Sequence, residues 1–478
     1  MDLIVLYDLS FLVLFLIGVI IFLSLRWKKV QREGLLFLYK TQVGVRAIKY
    51  VGEKYKKLIH VMGYFAVGMG YILASVMTAT LFWIVYTYYK RPDVVQNVKI
   101  PPLMPLVPYV DRLFNVSFLP PFYFTYWIIA ILVVALVHEF FHGIFAETYG
   151  IKTKTTGFGI LGPFLAAFVE LDEKKMAKIE NFKQRAILAA GTFANVLTTI
   201  FFILIMFLFF VFAFRPAGVM NYDYASAILP VTAVTAINGI SLQNNSFSNV
   251  LYELNNTPIS TVKAGNYSYL VNSTNFLEQL SETNYTLFAA YYETPALKVK
   301  LNGIISEVDG IKIKSYKQFG DILSGSKPNQ TITIKTLTEN GTNEYKIKLA
   351  EYPGNQSRGF LGIGPVAVSY NNRLVGVIAG WFTWFRDPYV YYAPAFNPEL
   401  VKFIYDLIWW LVIINISVAL MNMLPLGIFD GGRFFYLTVL RITKSKKIAE
   451  ISFKTSTYIM LFLFLLLMLL WGKAFWLK

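Results

Sequence analysis

Long apolar runs constrain this chain more than any other feature of its sequence. They cover about residues 3–25, 60–88, 121–146, 186–214, 400–424 and 450–472. A helix needs about 20 apolar residues to cross a bilayer, so each run is long enough to span it. Only 15% of the residues are charged, against about 25% in a typical soluble protein. The sequence therefore predicts an α-helical polytopic membrane protein with about six transmembrane helices.

Basic residues follow alternate runs and predict an orientation. The segments 26–57, 149–185 and 427–448 are all rich in Lys and Arg, as cytoplasmic loops usually are. This arrangement places both termini outside. It also predicts that the net charge of +16 contacts the lipid bilayer rather than nucleic acid. The apolar stretch 374–385 is too short to span and is predicted to be interfacial or re-entrant.

Asn-x-Ser/Thr triplets bear on the same orientation. They occur at Asn115, Asn244, Asn255, Asn266, Asn272, Asn284, Asn329, Asn340, Asn355 and, within a predicted span, Asn415. All except Asn415 lie in segments predicted to be outside. Asn-rich loops produce such triplets by chance, but their one-sided distribution favours an outer surface that carries glycans.

Residues 215–370 differ from the rest of the chain because they are polar and rich in β-branched residues. "LNGIISEVDGIKIKSYKQFGDIL" and "QTITIKTLTENGTNEYKIKL" predict a strand, a turn, a strand, a helix and then a hairpin. This order resembles the second half of a PDZ domain, with "RGFLGIG" as a closing strand. The first half, which contains "AVTAINGISLQN", matches poorly and is predicted to hold an insertion. The segment is thus predicted to be an inserted extracytoplasmic β-rich PDZ-like domain that binds an extended peptide or restricts access.

The predicted organisation has four parts. Residues 1–120 hold the first spans and a Pro-rich outer loop, and 121–214 form a first membrane segment that carries the main motif. Residues 215–370 form the PDZ-like domain, and 371–478 form a second membrane segment with the last span.

"HEFFH" at 138–142 carries the clearest chemical signal. Residues four apart share a helix face, so His138 and His142 can direct two imidazoles at one metal ion. Glu139 lies beside that face, where its carboxylate can accept a proton from water activated by the metal. Zinc suits such ligands and leaves a position open. The alternative is a pair of buried histidines satisfied by hydrogen bonds, although polar groups inside a membrane usually mark a function.

A third protein ligand is needed, and several residues do not fit. Phe145 and Thr148 stand where an extended zinc motif would have Gly and His. Glu147 is about half a turn out of phase with His138. His60 has no motif around it and is predicted to be an interfacial polar residue.

"NMLPLGIFDGGRFF" at 422–435 provides the best candidate, Asp430. Pro425 removes a helix hydrogen bond, and Gly431 and Gly432 permit an unwound backbone that could turn Asp430 inward. In the predicted topology, the spans that carry His142 and Asp430 end on the same side of the membrane. The alternative is an ordinary turn that ends a helix.

These motifs together resemble the site-2 proteases, which are intramembrane zinc metalloproteases. "GPFLAAFVE" (162–170) and "RAILAAGTFAN" (185–195) are also similar to motifs of that family. The sequence departs from the pattern at 427–429, which is less rich in Pro and Leu than usual, and at Thr192, where Pro is common.

The resemblance implies a role for each matching residue. His138, His142 and Asp430 would bind Zn²⁺, and Glu139 would be the general base. Asn195 and Asn422 would position the substrate backbone or stabilise the oxyanion; interhelical hydrogen bonding is the alternative for both. "TKTTGFGILGPF" would form a β-hairpin whose edge pairs with an unwound substrate strand.

The predicted function is regulated intramembrane proteolysis of single-span membrane proteins, with the active site toward the cytoplasm. A metal transporter is an alternative from another class, but the sequence shows neither repeated halves nor a path of acidic residues. A catalytically inactive PDZ scaffold is a third, and the intact Glu139 argues against it.

Overall fold

The structure is a computed structural model, in which the chain forms two compact units. It describes residues 3–33, 36–91, 95, 104, 106–114, 119–161, 164–242, 250, 259–265, 267–272, 287–352, 355–366 and 384–476. The first unit, called the helical unit, combines Met1–Phe210 with Glu399–Lys478, and the second, called the β unit, comprises Val211–Pro398.

The helices follow one another along the chain in this order. They are α1 (Leu3–Arg26), α2 (Val45–Lys54), α3 (Lys56–Lys90), α4 (Val110–Leu113), α5 (Phe124–Thr148), α6 (Glu173–Met176), α7 (Asn181–Ala213), α8 (Pro295–Lys298), α9 (Tyr316–Ser324), α10 (Pro398–Asn422), α11 (Asp430–Thr443) and α12 (Lys446–Trp476).

Six of the described helices are long and apolar enough to cross a membrane. The membrane-spanning stretches are Ile4–Lys29, Lys56–Lys90, Phe124–Thr148, Asn181–Ala213, Pro398–Asn422 and Lys446–Lys473. The prediction of six spans is therefore confirmed. Three of these helices, α3, α7 and α12, exceed 30 residues, more than an upright helix needs. Such lengths are accommodated by tilt or by extension beyond the bilayer.

A small antiparallel sheet belongs to the helical unit. It contains β1 (Val30–Glu33), β2 (Leu36–Thr41), β3 (Thr153–Leu161) and β4 (Phe164–Leu171), paired in that order. The predicted hairpin is the pair β3–β4. Strands β1 and β2 were not predicted, because the basic segment that holds them shows a charge bias rather than an alternating pattern. Strand β4 packs along α5 and so brings the sheet to the HExxH helix.

The N-terminus of α5 is capped by a residue of another helix. No side chain of its own caps it, but the Asp8 carboxylate on α1 accepts hydrogen bonds from the Phe124 and Thr125 amides at 2.7 and 2.9 Å. The Tyr109 hydroxyl also donates to Asp8. A carboxylate satisfies the free amides of the first helical turn and complements the helix dipole. Asp8 thereby ties the first span to the helix that carries HExxH.

Small side chains allow the helices of this unit to pack closely. Ala186, Ala189 and Ala190 on α7 are fully buried in a core that also includes residues of α3, α5, α10 and α11. Close helix approach through small residues is the usual way to stabilise helix pairs in membranes. At Ala186 and Ala189 this close approach is to Gly63 and Gly70 of α3, where a Cβ on the glycine would lie 3.6 and 3.3 Å from the alanine methyl carbon.

The β unit contains the remaining strands. They are β5 (Phe214–Val219), β6 (Tyr222–Tyr224), β7 (Ser226–Pro230), β8 (Val234–Ile237), β9 (Ile240–Ser241), β10 (Ile259–Ala264), β11 (Tyr267–Asn272), β12 (Leu287–Tyr292), β13 (Ile304–Val308), β14 (Ile311–Lys312), β15 (Thr331–Thr338), β16 (Gly341–Lys348), β17 (Ala350–Tyr352), β18 (Asn355–Phe360), β19 (Ile363–Pro365) and β20 (Val390–Pro394).

Two larger antiparallel sheets organise these strands. One has the order β7-β12-β11-β10-β8-β9, and the other has the order β16-β15-β13-β5-β20 with β14 paired to β13. Each sheet has its own apolar core. The second sheet and α9 reproduce the predicted strand–turn–strand–helix–hairpin order, so the β-rich prediction is confirmed. The first sheet occupies the stretch where the sequence predicts an insertion.

The predicted closing strand is different in the structure. "RGFLGIG" is divided between β18, which pairs with β17, and β19, which pairs with β6. Gly362 separates the two strands with φ of +86°, a conformation that glycine adopts readily. The backbone turns there instead of continuing as one strand.

Several sequence predictions fall partly outside the described residues. Most of the 374–385 stretch and the asparagines Asn115, Asn244, Asn255, Asn266 and Asn284 lie there. Asn272, Asn329 and Asn340 are exposed in the β unit, whereas Asn415 is fully buried in α10, which agrees with its predicted inaccessibility.

Candidate metal centre

Three potential ligands from distant parts of the sequence meet in the helical unit. His138 and His142 lie one turn apart on α5, and Asp430 is the first residue of α11. One ligand atom from each lies within 4.8 Å of the other two. The two imidazoles are only 7% and 9% exposed. The two histidines of HExxH and Asp430 therefore lie close together in the fold, as the predicted topology requires.

The spacing of these atoms suits a small metal ion. The two Nε2 atoms are 3.0 Å apart, and each lies 3.2 Å from Asp430 Oδ2. Ligands bound tetrahedrally to zinc at about 2.0–2.1 Å lie about 3.3 Å from one another. Two imidazoles and one carboxylate are also a ligand set that catalytic zinc uses, with a fourth position open. The three residues therefore fit zinc.

Helix α7 supplies a partner for the second nitrogen of each imidazole. His142 Nδ1 lies 2.7 Å from the Ile187 carbonyl oxygen, to which it donates a hydrogen bond when protonated. His138 Nδ1 lies 3.1 Å from Asn195 Nδ2. Because a proton on Nδ1 leaves the Nε2 lone pair available, the Ile187 contact selects the tautomer that a metal requires at His142.

Gly191 is a site residue that the sequence motifs did not predict. A Cβ atom at this position would lie 2.5 Å from His142 Nε2 and 2.6 Å from His138 Nε2. Any side chain would therefore occupy the space directly beside the two ligand nitrogens. The available signal was the spacing: Ile187, Gly191 and Asn195 recur every four residues and share one face of α7.

A tight backbone reversal places Asp430. Residues 423–429 interrupt the helix between α10 and α11, as Pro425 predicts. The role of the glycines differs from the prediction, because Gly431 and Gly432 belong to the first turn of α11. A Cβ on either would come within 2.4 Å of backbone atoms of Met423, Leu424 or Leu426. The glycines therefore permit close approach of two backbone segments instead of unwinding.

Glu139 lies between the ligand cluster and the sheet. Its Oε2 atom accepts a hydrogen bond of 3.0 Å from the Val169 amide on β4. This bond fixes the direction of the carboxylate and leaves Oε1 available to a second partner. Strand β4 thus orients Glu139 beside the ligands.

Two cavities of different character adjoin the cluster, and Glu139 and Asp430 line both. A polar cavity of about 770 Å³ also includes His142 and charged side chains, among them Lys154, Glu170 and Arg433. An apolar cavity of about 370 Å³ includes His138 and Asn422, and its other walls are Leu106, Ile131, Val134, Ala135, Ile414, Val418, Ile428 and Phe429. The ligand cluster therefore lies where a water-compatible space and an apolar space meet.

The residues that the sequence excludes as ligands lie elsewhere. The Glu147 carboxylate accepts a hydrogen bond of 2.6 Å from the Thr153 amide. The exposed His60 ring contacts the rings of Tyr64 and Tyr149. Neither belongs to the ligand cluster.

A membrane-spanning helical fold with a buried His–His–Asp cluster and an adjacent glutamate defines a metallopeptidase of the intramembrane class. The model of peptidase family M50 matches residues 126–348 and 389–467, which is more than half of the chain. The chain belongs to this family, the site-2 proteases. The resemblance seen in the sequence is confirmed at this level, whereas a PDZ domain is not identified by the family match.

A relative is found among curated proteins. The uncharacterized protein MJ0971 of Methanocaldococcus jannaschii is 49% identical over 72 residues, which are 15% of this chain and 19% of the relative. The chain therefore matches about a fifth of the length of that protein.

Proposed function

We propose that this protein is a zinc endopeptidase that hydrolyses peptide bonds in or near membrane-spanning segments of single-span membrane proteins. The observation that carries the proposal is the ligand triangle of His138, His142 and Asp430, with Glu139 beside it and two adjoining cavities. Family membership agrees with this activity.

The proposed chemistry assigns a role to each residue. Zinc held by the three ligands would polarise the scissile carbonyl and lower the pKa of water. Glu139 accepts a proton from the attacking water and delivers it to the leaving amine. Asn422, whose Nδ2 lies 3.5 Å from His138 Nε2 and which lines the apolar cavity, donates to the carbonyl oxygen as negative charge develops there.

The two cavities suggest how a substrate and water reach the same point. An apolar membrane segment is compatible with the walls of the apolar cavity, and water is compatible with the polar one. A peptide bond inside a helix is shielded, so the substrate must unwind locally. Strand β4 is the last strand of its sheet and lines the polar cavity, and its outer edge would pair with the unwound segment.

We also propose that the active site faces the cytoplasm and that the β unit is extracytoplasmic, where it binds an extended peptide or restricts access to the site. The basic segments 26–57, 149–185 and 427–448 support this orientation. The chain contains no cysteine, so each position can be tested as a single-cysteine variant. An impermeant thiol reagent should label Asn329→Cys or Asn340→Cys, at exposed positions, from outside, and should not label Lys174→Cys. Labelling of both positions from the same side would contradict the orientation.

The function is tested by Glu139→Gln in a detergent-based cleavage assay on a panel of single-span proteins. The amide keeps the size of the side chain but cannot accept the proton. Cleavage should fall by about 100-fold or more, while zinc content and thermal stability remain close to those of the wild type. Zinc chelation should abolish wild-type cleavage, and added zinc should restore it.

Glu147→Gln is the matched control, because Glu147 is on the same helix and outside the ligand cluster. It should cleave at a rate close to the wild type. Undiminished cleavage by a zinc-loaded Glu139→Gln preparation would exclude the proposed mechanism. Metal flux across vesicles in the absence of cleavage would favour a transporter. The absence of both cleavage and metal flux would favour a scaffold.

A further inference from the structure

Asn195 differs from Asn422 in what it faces. Asn422 lines the apolar cavity, whereas Asn195 is 0% exposed and lines neither cavity as the described residues define them. Its carboxamide meets His138 from the α7 side, at the imidazole nitrogen opposite Nε2. A substrate cannot reach a side chain in this position without separating α5 from α7.

We infer that Asn195 is a positioning residue for the His138 imidazole rather than a group that binds substrate. This inference rests on the proposed metal site but not on proteolysis. A buried carboxamide next to a metal-binding histidine can hold the ring plane and its tautomer through one hydrogen bond.

The hydrogen-bonding capacity of the carboxamide supports this role. If His138 binds a metal through Nε2, its ring proton must be on Nδ1, which then needs an acceptor. The Asn195 Oδ1 atom is buried and has no hydrogen-bond partner. A carboxamide offers a donor on one side and an acceptor on the other, so Asn195 can satisfy either tautomer of His138 by turning about its last side-chain bond.

The neighbouring positions of α7 act on both imidazoles. The Ile187 carbonyl oxygen holds His142 Nδ1 at 2.7 Å, and Gly191 admits both rings. One face of α7 therefore orients both imidazoles. Asn195 is the only one of the three whose contribution comes from a polar side chain, so it can be changed without altering the backbone.

The test compares zinc affinity and the spectrum of the cobalt-substituted protein in three full-length variants. Asn195→Leu removes the hydrogen bond and keeps the branching at Cγ. Asn195→Asp keeps an acceptor for Nδ1–H. Asn415→Leu is the matched control, since Asn415 is also a fully buried asparagine in a spanning helix and bonds the Leu411 carbonyl of its own helix.

Asn195→Leu should bind zinc about 10- to 100-fold more weakly and should alter the visible bands of bound Co²⁺, which report ligand geometry. Asn195→Asp should recover most of the affinity, and Asn415→Leu should keep it. Unchanged zinc affinity and cobalt spectrum in Asn195→Leu would overturn the inference. Equal losses in Asn195→Leu and Asn415→Leu would also overturn it, because they would reflect packing alone. Since these readouts do not require cleavage, they remain valid if the protein proves not to be a protease.

Discussion

The two units bury polar groups of different kinds. In the helical unit the buried polar side chains include His138, His142, Asn195, Asp8 and Arg185. In the β unit, as far as it is described, they carry only hydroxyl groups: Ser260, Thr294, Ser326 and Thr336. Burying an ionisable group or an amide is costly unless it is paired. The helical unit is therefore built around a polar site, whereas the β unit is stabilised by apolar cores and is suited to recognition.

A core substitution in the β unit provides the largest expected effect on stability. Phe319 on α9 is 2% exposed within the core of the second sheet. Phe319→Ala should destabilise that unit by about 3–5 kcal/mol, because it removes buried area and leaves a cavity. Limited proteolysis and thermal melting in detergent would measure the loss, and zinc content should stay the same. Loss of zinc in this variant would show that the site depends on the β unit.

Two glycine-to-alanine substitutions, one in each unit, test whether the metal site depends on close packing at Gly191. Gly191→Ala places a methyl group within 2.6 Å of both ligand nitrogens, so zinc affinity should fall by about 100-fold, which corresponds to about 2.7 kcal/mol. Gly320→Ala in α9 is the control, since its Cβ would meet nothing within 4 Å. It should leave zinc unaffected and stabilise α9 by up to about 1 kcal/mol. Retention of full zinc affinity in Gly191→Ala would mean that α7 can move away from α5 at little cost.

Helix capping also differs between the two units, because one cap comes from the same chain segment and the other from a distant helix. Ser315 caps α9 within its own chain segment by accepting from the Gln318 amide at 3.1 Å, whereas Asp8 caps α5 from another helix. Asp8→Ala should cost about 2 kcal/mol, because it removes several buried hydrogen bonds to a carboxylate. Ser315→Ala should cost about 1 kcal/mol. Thermal melting of both variants would rank them, and a larger loss from Ser315→Ala would contradict the role of Asp8.

Ion pairs should have the smallest effects on stability. The contribution of one pair should be lost at acid pH and that of the other at alkaline pH. In the helical unit, hydrogen bonds from Lys40 and Thr155 lower the pKa of Glu170. Its pair with Lys40, at 3.0 Å, is about one-third exposed. A carboxylate with a lowered pKa stabilises the fold above its unfolded pKa of about 4.3, and that contribution is lost as pH falls through the folded value. Solvent screening limits it to less than about 1 kcal/mol.

The difference in melting temperature between wild type and Glu170→Gln should therefore shrink below about pH 4. In the β unit, the hydrogen bond to Glu307 raises the pKa of Lys335. That contribution is present below the unfolded pKa of about 10.4 and is lost as pH rises through the folded value. The Lys335→Gln difference should accordingly shrink at alkaline pH instead. A common pH range for both variants would contradict these assignments.

Features with a local period could be predicted from the sequence alone. Six runs of apolar residues predict six spans, and the four-residue spacing of His138 and His142 predicts one shared helix face. The alternation from 304 to 348 predicts β13 to β16 and α9, but not β5 and β20 of the same sheet. These predictions hold because backbone hydrogen bonding and side-chain direction depend mainly on neighbouring residues.

The residues of α7 and α1 that support the site became apparent from the tertiary structure. Gly191 and the Ile187 carbonyl oxygen carry no chemical signature in the sequence, and they matter because α7 lies against α5. Asn195 was predicted to contact substrate, but its burial and its contact with His138 favour a positioning role. Asp8 caps a helix that begins more than a hundred residues later. Such contacts depend on which helix faces pack together, and a local pattern does not encode that choice.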